Sequence, residues 1–278
     1  MQVEEIKTKI KAAVIAAKKA KPLVGSITNA VTINFVANAQ LAAGGSAAMV
    51  YLPDEGQTLA QLSNAFYINV GTMLPIYAEA LPKTAAVLAA SNKPWVLDPV
   101  AIGIGSLRTD ILRKFKEYKP TIIRGNASEI IALAGLWNLE GGSLLSKVRG
   151  VDATEDVNTA RKAAEALAAY TGGAVAVSGV IDLITDGDST VYSYGGSLLM
   201  ERITGAGCSL GGVMGVYAAV ADPFIAAVTG SALYNVAGSL AAAKVSGPGS
   251  FIAQFLDEIF LLSAEEIGNN KLEKDDKI

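Results

Sequence analysis

The chain of 278 residues contains no histidine and a single cysteine, Cys208. Without histidine, the Ser-His-Asp and Cys-His nucleophile classes and every imidazole-ligated metal are excluded. One cysteine excludes an intrachain disulfide framework and a cysteine-based zinc site, and it fits a reducing, cytoplasmic compartment. Aromatic residues make up only 6% and charged residues 18%. With 23 basic and 26 acidic residues the formal charge is -3, too balanced for a nucleic-acid footprint or a polybasic membrane patch. The N-terminus carries Glu4, Glu5 and several lysines and lacks the build of a signal peptide. Two long uncharged runs occur, Pro22 to Pro53 and Pro223 to Ala243. Small and polar residues interrupt both, which makes them interior segments of a soluble protein instead of membrane spans. What remains for chemistry is carboxylates, arginine, one thiol, backbone dipoles and an oxygen-bound cation such as Mg²⁺.

What the chain does have is 28 glycines and 51% hydrophobic residues, a composition for one large α/β domain. Val3, Ile6, Ile10, Val14 and Ala17 recur at helical spacing and predict a first helix stopped before Pro22. Leu23 to Ile27 reads as a strand, and Thr28-Asn29 as the opening of a helix that ends at Gly44-Gly45. Strands and helices then alternate: strand Ala47 to Tyr51, helix near Thr58 to Ala65, strand Tyr67 to Val70, a helix after Pro75, strand Trp95 to Asp98. A helix near Arg108 to Glu117, strand Thr121 to Arg124 and a helix from Ser128 follow. Apolar strands alternating with helices predict a mostly parallel sheet covered on both faces. Gly135 to Asp156 reads as a surface insertion, followed by a helix from Glu155 to Tyr170 and strand Ala174 to Val177. Asp182 to Thr185 and Thr190 to Ser193 flank Asp186-Gly187-Asp188, a hairpin signal that adds an antiparallel ribbon. Helices including Pro248 to Ser263 close the domain at residue 267, and a charged, frayed tail is expected over 268–278.

The chemistry is expected at Ile203 to Ala221, a glycine-rich turn running into an uncharged helix. Gly205 and Gly207 let the backbone approach a ligand, and the first amides of the helix lack intrahelical partners, which makes an anion site. Cys208 sits at that start, where dipole and amides are expected to lower its pKa below about 8.5. Ligands of open α/β sheets gather beyond the carboxyl ends of the strands. Asp98, Arg124 with Gly125-Asn126, Glu129 and Thr185-Asp186 are expected there, a set suited to Mg²⁺ and phosphates. Each has a structural role available as well: a cap, a dipole partner, an ion pair. Gly205-x-Gly207-x-x-x-Gly211 also resembles a dinucleotide fingerprint, but the following acid, Asp222, precedes Pro223 at a helix start and not at a strand end.

Several segments resemble the hydroxyethylthiazole kinase family of the ribokinase-like superfamily. They are Pro22 to Asn29, Asn34-Phe35, Met49, Asn69 to Thr72, Asp98-Pro-Val100, Thr121 to Asn126 with Glu129, Gly150 to Asp152, Ala176 to Gly179 and Thr204 to Cys208. The resemblance implies a single-domain ribokinase-like fold and ATP- and Mg²⁺-dependent phosphorylation of a thiazole alcohol in thiamine salvage. It implies substrate contacts at Met49, Gly205, Asn29 and Gly71, ATP contacts at Arg124, Ser178, Asn126 and Gly207, and a Mg²⁺ environment at Asp98 and Glu129. Cys208 would stand where most superfamily relatives carry an aspartate base, and the assembly would be a homotrimer with active sites between subunits. The chain departs from the family pattern at Gly25, where a histidine is usual, and at Ala101, where a glycine is usual, both expected near the substrate end. Rival readings are a same-fold kinase for another small heterocyclic alcohol, of pyrimidine or pyridoxal type, and a nucleotide-binding protein without turnover. A nicotinamide-dependent oxidoreductase is the third, weakened by the context of its motif.

Overall fold

The computed structural model describes residues 1–143 and 156–275. Its nine strands form one sheet: β1 (Leu23–Ile27), β2 (Ser46–Met49), β3 (Ala65–Asn69), β4 (Trp95–Asp98), β5 (Ile122–Asn126), β6 (Ala174–Ser178), β7 (Asp182–Thr185), β8 (Thr190–Ser193) and β9 (Leu272–Lys274). Their order across the sheet is β2-β1-β3-β4-β5-β6-β7-β8-β9. The first six strands run parallel and the last three antiparallel. The helices are α1 (Val3–Ala20), α2 (Ile33–Ala42), α3 (Pro53–Leu62), α4 (Tyr77–Ala90), α5 (Ser106–Tyr118), α6 (Ala127–Leu136) and α7 (Arg161–Thr171) in the first part of the chain. In the last part come α8 (Ala206–Ala218), α9 (Pro223–Lys244), α10 (Pro248–Leu261) and α11 (Ala264–Gly268).

Strand side chains alternate between faces with period two, and the two cores follow that alternation. Val24, Tyr67, Val96, Ile122, Ala174 and Ala176 pack into one core with α1, α2, α8, α9 and α10. Phe66, Ile68, Trp95, Leu97, Ile123, Val175 and Val177 pack into the other with α4 to α7. With both faces covered, the parallel strands are mainly apolar along their length, as the sequence predicts, and carry their polar side chains mostly at their carboxyl ends. The long uncharged run from Pro223 becomes α9; by length and composition it could cross a membrane, but 83% of its apolar window is buried inside the fold. It is the central helix of its layer.

Several boundaries differ from expectation for local reasons. Helix α2 starts at Ile33, not at Thr28-Asn29, because the Asn29 side chain accepts the Thr32 N–H and holds 29–32 as a turn. Helix α3 starts at Pro53, whose fixed φ suits a first helical turn, so that β3 begins at Ala65, beside Val24 of β1. Asn126 caps α6, so the helix begins at Ala127, and Gly135 is still helical. Of the expected insertion, residues 144–155, with Gly150 and Asp152, lie outside the described residues, as does the start of the helix expected from Glu155; Arg161 is where α7 begins. The tail does not fray over its described length, since β9 pairs with β8 and the Asp275 N–H donates to the Thr190 carbonyl. Thr185-Asp186 is not at the carboxyl edge of the parallel strands. The hairpin reverses direction, so Thr185 pairs with Val175 near the start of β6, and Asp182 takes the place at the functional edge.

Helix α8 lies close against the sheet. A Cβ at Gly211 would fall 2.5 Å from the Tyr67 ring, which is wholly buried. Gly211→Ala must therefore displace that ring, and overpacking of this kind costs about 1–3 kcal/mol. Urea unfolding should show a lower midpoint with an unchanged slope; an unchanged midpoint would contradict this packing.

Candidate active site

Strand register assembles the polar groups. Asn69 at the end of β3 stands opposite Asp98 at the end of β4. The pairing of Leu97 with Ile123, carried one residue further, sets Asp98 beside Arg124. On the next strand Asn126 pairs with Ser178. By the period of two, Tyr67, Asn69, Asp98, Arg124 and Ser178 share the sheet face that α8 covers.

They form one hydrogen-bonded line. Asp98 Oδ2 accepts from Tyr67 OH at 2.9 Å, Asn69 Nδ2 at 3.1 Å and Arg124 Nη1 at 3.5 Å. Asp98 Oδ1 is buried and has no hydrogen-bond partner among the described residues. Arg124 donates from Nε and Nη2 to Ser178 Oγ at 3.3 and 3.0 Å. On the other side, Asn69 Oδ1 accepts from Asn29 Nδ2 at 3.0 Å and Gly71 N at 2.8 Å, and Asn29 Nδ2 also reaches Cys208 Sγ at 3.4 Å. Arg108, buried at the start of α5, donates to the carbonyls of Val70 and Gly71 and pins the loop that follows β3.

Burial dominates the electrostatics. It pushes the Asp98 carboxyl up to about 7; Arg124 works against that, and Glu129 adds to it. Burial alone would weaken the charge on Arg124, but Asp98 and then Glu129 outweigh it and hold the guanidinium more firmly protonated. Glu129 is itself buried, with Oε2 accepting from Asn126 N at 2.9 Å and Oε1 from Ala101 N at 3.2 Å. Ala101 holds a left-handed φ of 59°, an unfavourable backbone for a residue with a Cβ, and its N–H is spent on this contact.

The start of α8 closes the site from the other layer. Gly205 has φ 98° and serves as N-cap. A Cβ at Gly207 would lie 2.5 Å from Arg124 Nη2, so the guanidinium rests directly on the first turn of the helix. The free amides of that turn, the arginine and Asp98 therefore share one crevice. The expected activation of Cys208 is not found. Burial and then the Asp98 charge push its thiol up, and Arg124 opposes them only in part. The sequence argument weighed the helix start and could not weigh the desolvation.

The structure brings Asn29, Gly71, Asp98, Arg124, Ser178, Gly207 and Cys208 into this one line. Gly205 flanks it beside Thr32 and Phe35. Met49 ends the edge strand β2 in register with Ser26, three strands from β4, and packs with the α8 layer. Asn126 is occupied as a cap, its Oδ1 accepting from the Glu129 N–H and the Ser128 hydroxyl. Glu129 joins through Asn126 and Ala101. Gly25 lies within β1, and a Cβ there would strike the Phe66 ring at 2.5 Å, on the sheet face away from Tyr67. Ala101 stands beside Glu129. Two participants were missed by sequence reasoning. Tyr67 reads as one more apolar strand residue. Asp182 is an acid inside an apolar hairpin strand, a mismatch that could have marked it. It accepts from Gly179 N at 3.1 Å and Asn235 Nδ2 at 3.1 Å, and burial pushes it up to about 6 against those two bonds.

A parallel sheet between two helical layers, with a carboxylate and an arginine at its strand ends facing a glycine-rich helix start, defines a ribokinase-like kinase. A ribokinase-like superfamily protein from Enterococcus faecalis V583 superimposes with a TM-score of 0.56 at 13% identity, covering 87% of this chain and 88% of that one, a likeness of fold. The hydroxyethylthiazole kinase family model matches residues 14–265, and the chain belongs to that family. A hydroxyethylthiazole kinase from Bifidobacterium longum subsp. infantis is 49% identical over 96% of this chain and 91% of that protein. The structure of the hydroxyethylthiazole kinase protein from Pyrococcus horikoshii OT3 matches with a TM-score of 0.85 and 29% identity, covering 97% of this chain and all of that one.

Two measurements follow. As the only cysteine, Cys208 can be followed alone by iodoacetamide labelling, and its rate should still be rising at pH 9; a plateau below about 8.5 would restore the activated thiol. The folded pKa of Asp182 lies above its unfolded value of 3.8, so the folded state binds the extra proton between the two. Its contribution is therefore full below about pH 4 and lost as pH rises through about 6. Asp182→Asn should show a shallower fall of the urea midpoint from pH 4.5 to 7 than the parent protein, and parallel slopes would contradict the assignment.

Proposed function

We propose that this enzyme transfers the γ-phosphoryl group of ATP to the primary hydroxyl of 4-methyl-5-(2-hydroxyethyl)thiazole, giving the phosphate ester used in thiamine salvage, in the cytoplasm. The observation that carries the reading is the guanidinium of Arg124 lying on the first turn of α8, with Asp98 on its other side. This sets a fixed cation against the unpartnered amides of a helix start, and phosphoryl transfer depends on such positioning and charge stabilisation.

In this reading Arg124, held by Ser178 of the neighbouring strand, binds the nucleotide phosphates, with Asn126 at the end of its own strand. The amides near Gly205 and Gly207 receive the moving phosphoryl group. Asn29, Gly71 and Met49 line the alcohol end. The substrate oxygen forms its bond to phosphorus as the bond to the ADP oxygen breaks, and its proton leaves late, to an oxygen of the transferred phosphoryl group or to water, because the transition state is loose. A neutral thiol is therefore sufficient at position 208: Cys208, oriented by Asn29, packs beside the hydroxyl and does not deprotonate it.

The donors also fit Mg²⁺, which takes oxygen ligands, keeps several waters and is held by one or two carboxylates plus phosphates. Asp98 offers its unpartnered Oδ1, whereas both oxygens of Glu129 already accept backbone N–H bonds and suit an outer role through water. Among the described residues no group of three or more Cys, Asp or Glu is gathered to hold a metal by protein alone. When bound, the ion would neutralise charge on the phosphates.

The reading extends to a homotrimer with active sites between subunits. Val31 and Leu198, 70% and 75% exposed, lie on the segments that carry Asn29 and lead to Gly205, and a neighbouring copy would cover them. Light scattering should return three times the chain mass of 28.6 kDa; a monomer that turns over would refute this extension. The kinase reading is tested by ADP release with hydroxyethylthiazole against a panel of pyrimidine- and pyridoxal-type alcohols. Arg124→Ala or Asp98→Ala should remove most turnover, at least about 100-fold for loss of charge stabilisation of this kind. Cys208→Ser should keep it measurable. ADP release from another alcohol only would change the substrate, and heat stabilisation by ADP without any turnover would leave a binding protein.

A further inference from the structure

Asn69 has no part in the reaction described above, yet it is the best satisfied side chain of the crevice. It is wholly buried at the end of β3. Its Oδ1 accepts from Asn29 Nδ2 at 3.0 Å and Gly71 N at 2.8 Å. Its Nδ2 donates to Tyr67 OH at 2.9 Å and Asp98 Oδ2 at 3.1 Å. A side-chain amide has two donor hydrogens and two acceptor lone pairs, and here all four are used. The two ends of the amide serve different ends of the site. The oxygen holds the residue that touches Cys208, and the nitrogen holds the carboxylate that touches Arg124.

Resting on the phosphoryl-transfer reading, we propose that Asn69 is a positioning residue that fixes the distance between the alcohol end and the phosphate end of the crevice. The physical reason is geometric. Asn29 and Asp98 stand on different segments, and no hydrogen bond joins them except through this amide. The orientation of each is otherwise weakly determined: among the described residues the Asn29 amide has besides only Thr32 N and a longer contact to Cys208 Sγ, and Asp98 has only Tyr67 and Arg124. Tyr67 cannot replace Asn69, because its hydroxyl bonds Asp98 and Asn69 but does not reach Asn29. In-line transfer is sensitive to small misplacements of the reacting atoms, so a loss of this spacer falls on the chemical step more than on binding.

Two substitutions separate the two ends. Asn69→Asp is nearly isosteric; it keeps an acceptor for Asn29 and Gly71 and removes the donors to Asp98 and Tyr67. Asn69→Ala removes both. Steady-state ADP release is measured on folded protein with ATP and hydroxyethylthiazole varied in turn, alongside the rate of Cys208 alkylation, which needs no turnover. For Asn69→Ala, kcat should fall at least tenfold with both KM values within threefold, and Cys208 labelling should accelerate at least threefold as Asn29 is released. For Asn69→Asp, kcat should fall as far or further while labelling stays within twofold of the parent. The proposal is overturned if either variant keeps kcat within twofold, or if both variants change labelling alike. Should Asn69→Ala fail to fold, the isosteric variant alone decides: a kcat within twofold refutes the role, and a tenfold fall with unchanged labelling supports it. If the parent protein itself shows no ADP release, the kinase reading has failed, and the labelling contrast between the variants still tests the spacer.

Discussion

A carboxylate with no exposure to water, Asp98, is the constraint on which the site depends. Left alone in an apolar sheet it would take up a proton, and burial does move it in that direction. Arg124 opposes that shift from 3.5 Å away, and Tyr67 and Asn69 donate to the same oxygen. A buried pair of this kind adds little stability over apolar residues, but removing one partner costs about 3–5 kcal/mol. The pair therefore behaves as a specification of geometry: it fixes where the guanidinium stands and leaves one carboxylate oxygen without a partner among the described residues. Both properties serve phosphate and cation chemistry better than they serve the fold.

The second constraint is how near α8 comes to the sheet. At Gly207 the space a side chain would take is filled by Arg124, and at Gly211 by the Tyr67 ring. The helix thereby brings its unpartnered amides onto the arginine while its body seals the tyrosine and Asp98 from solvent. Such packing needs small residues along one stripe and apolar ones elsewhere, which is why this helix carries no charge. Desolvation is the consequence, and it acts on Cys208 as well, raising the thiol where the helix start alone would lower it. A neutral group at this position is compatible with a loose transition state and would not be with a reaction that needs a strong base.

The fold and much of the site were legible in the linear chain. Apolar runs alternating with helical periodicity gave six parallel strands and their order of appearance, and Asp98, Arg124 and the Gly205 to Cys208 turn were placed at the edge where they are found, whereas Ser178 came from the family resemblance alone. Residue types carried that information, because strand ends and helix starts are local features. The errors were of another kind. Thr185-Asp186 was assigned to the functional edge because a strand end was read without its direction; the hairpin puts it at the opposite edge and gives Asp182 the place. Tyr67 was passed over, and Asn69 entered only as part of a family-like segment, because their importance lies in what faces them across neighbouring strands.

Composition and spacing thus determined the class of sheet, the absence of imidazole chemistry and the identity of the charged groups, since these follow from side-chain chemistry and short-range periodicity. Tertiary structure alone decided which groups meet and how they ionise. Register set Asn69 against Asp98, and burial set the protonation of Asp98, Asp182 and Cys208. A pKa depends on how much water and which charges surround a group, and both are supplied by segments far away along the chain.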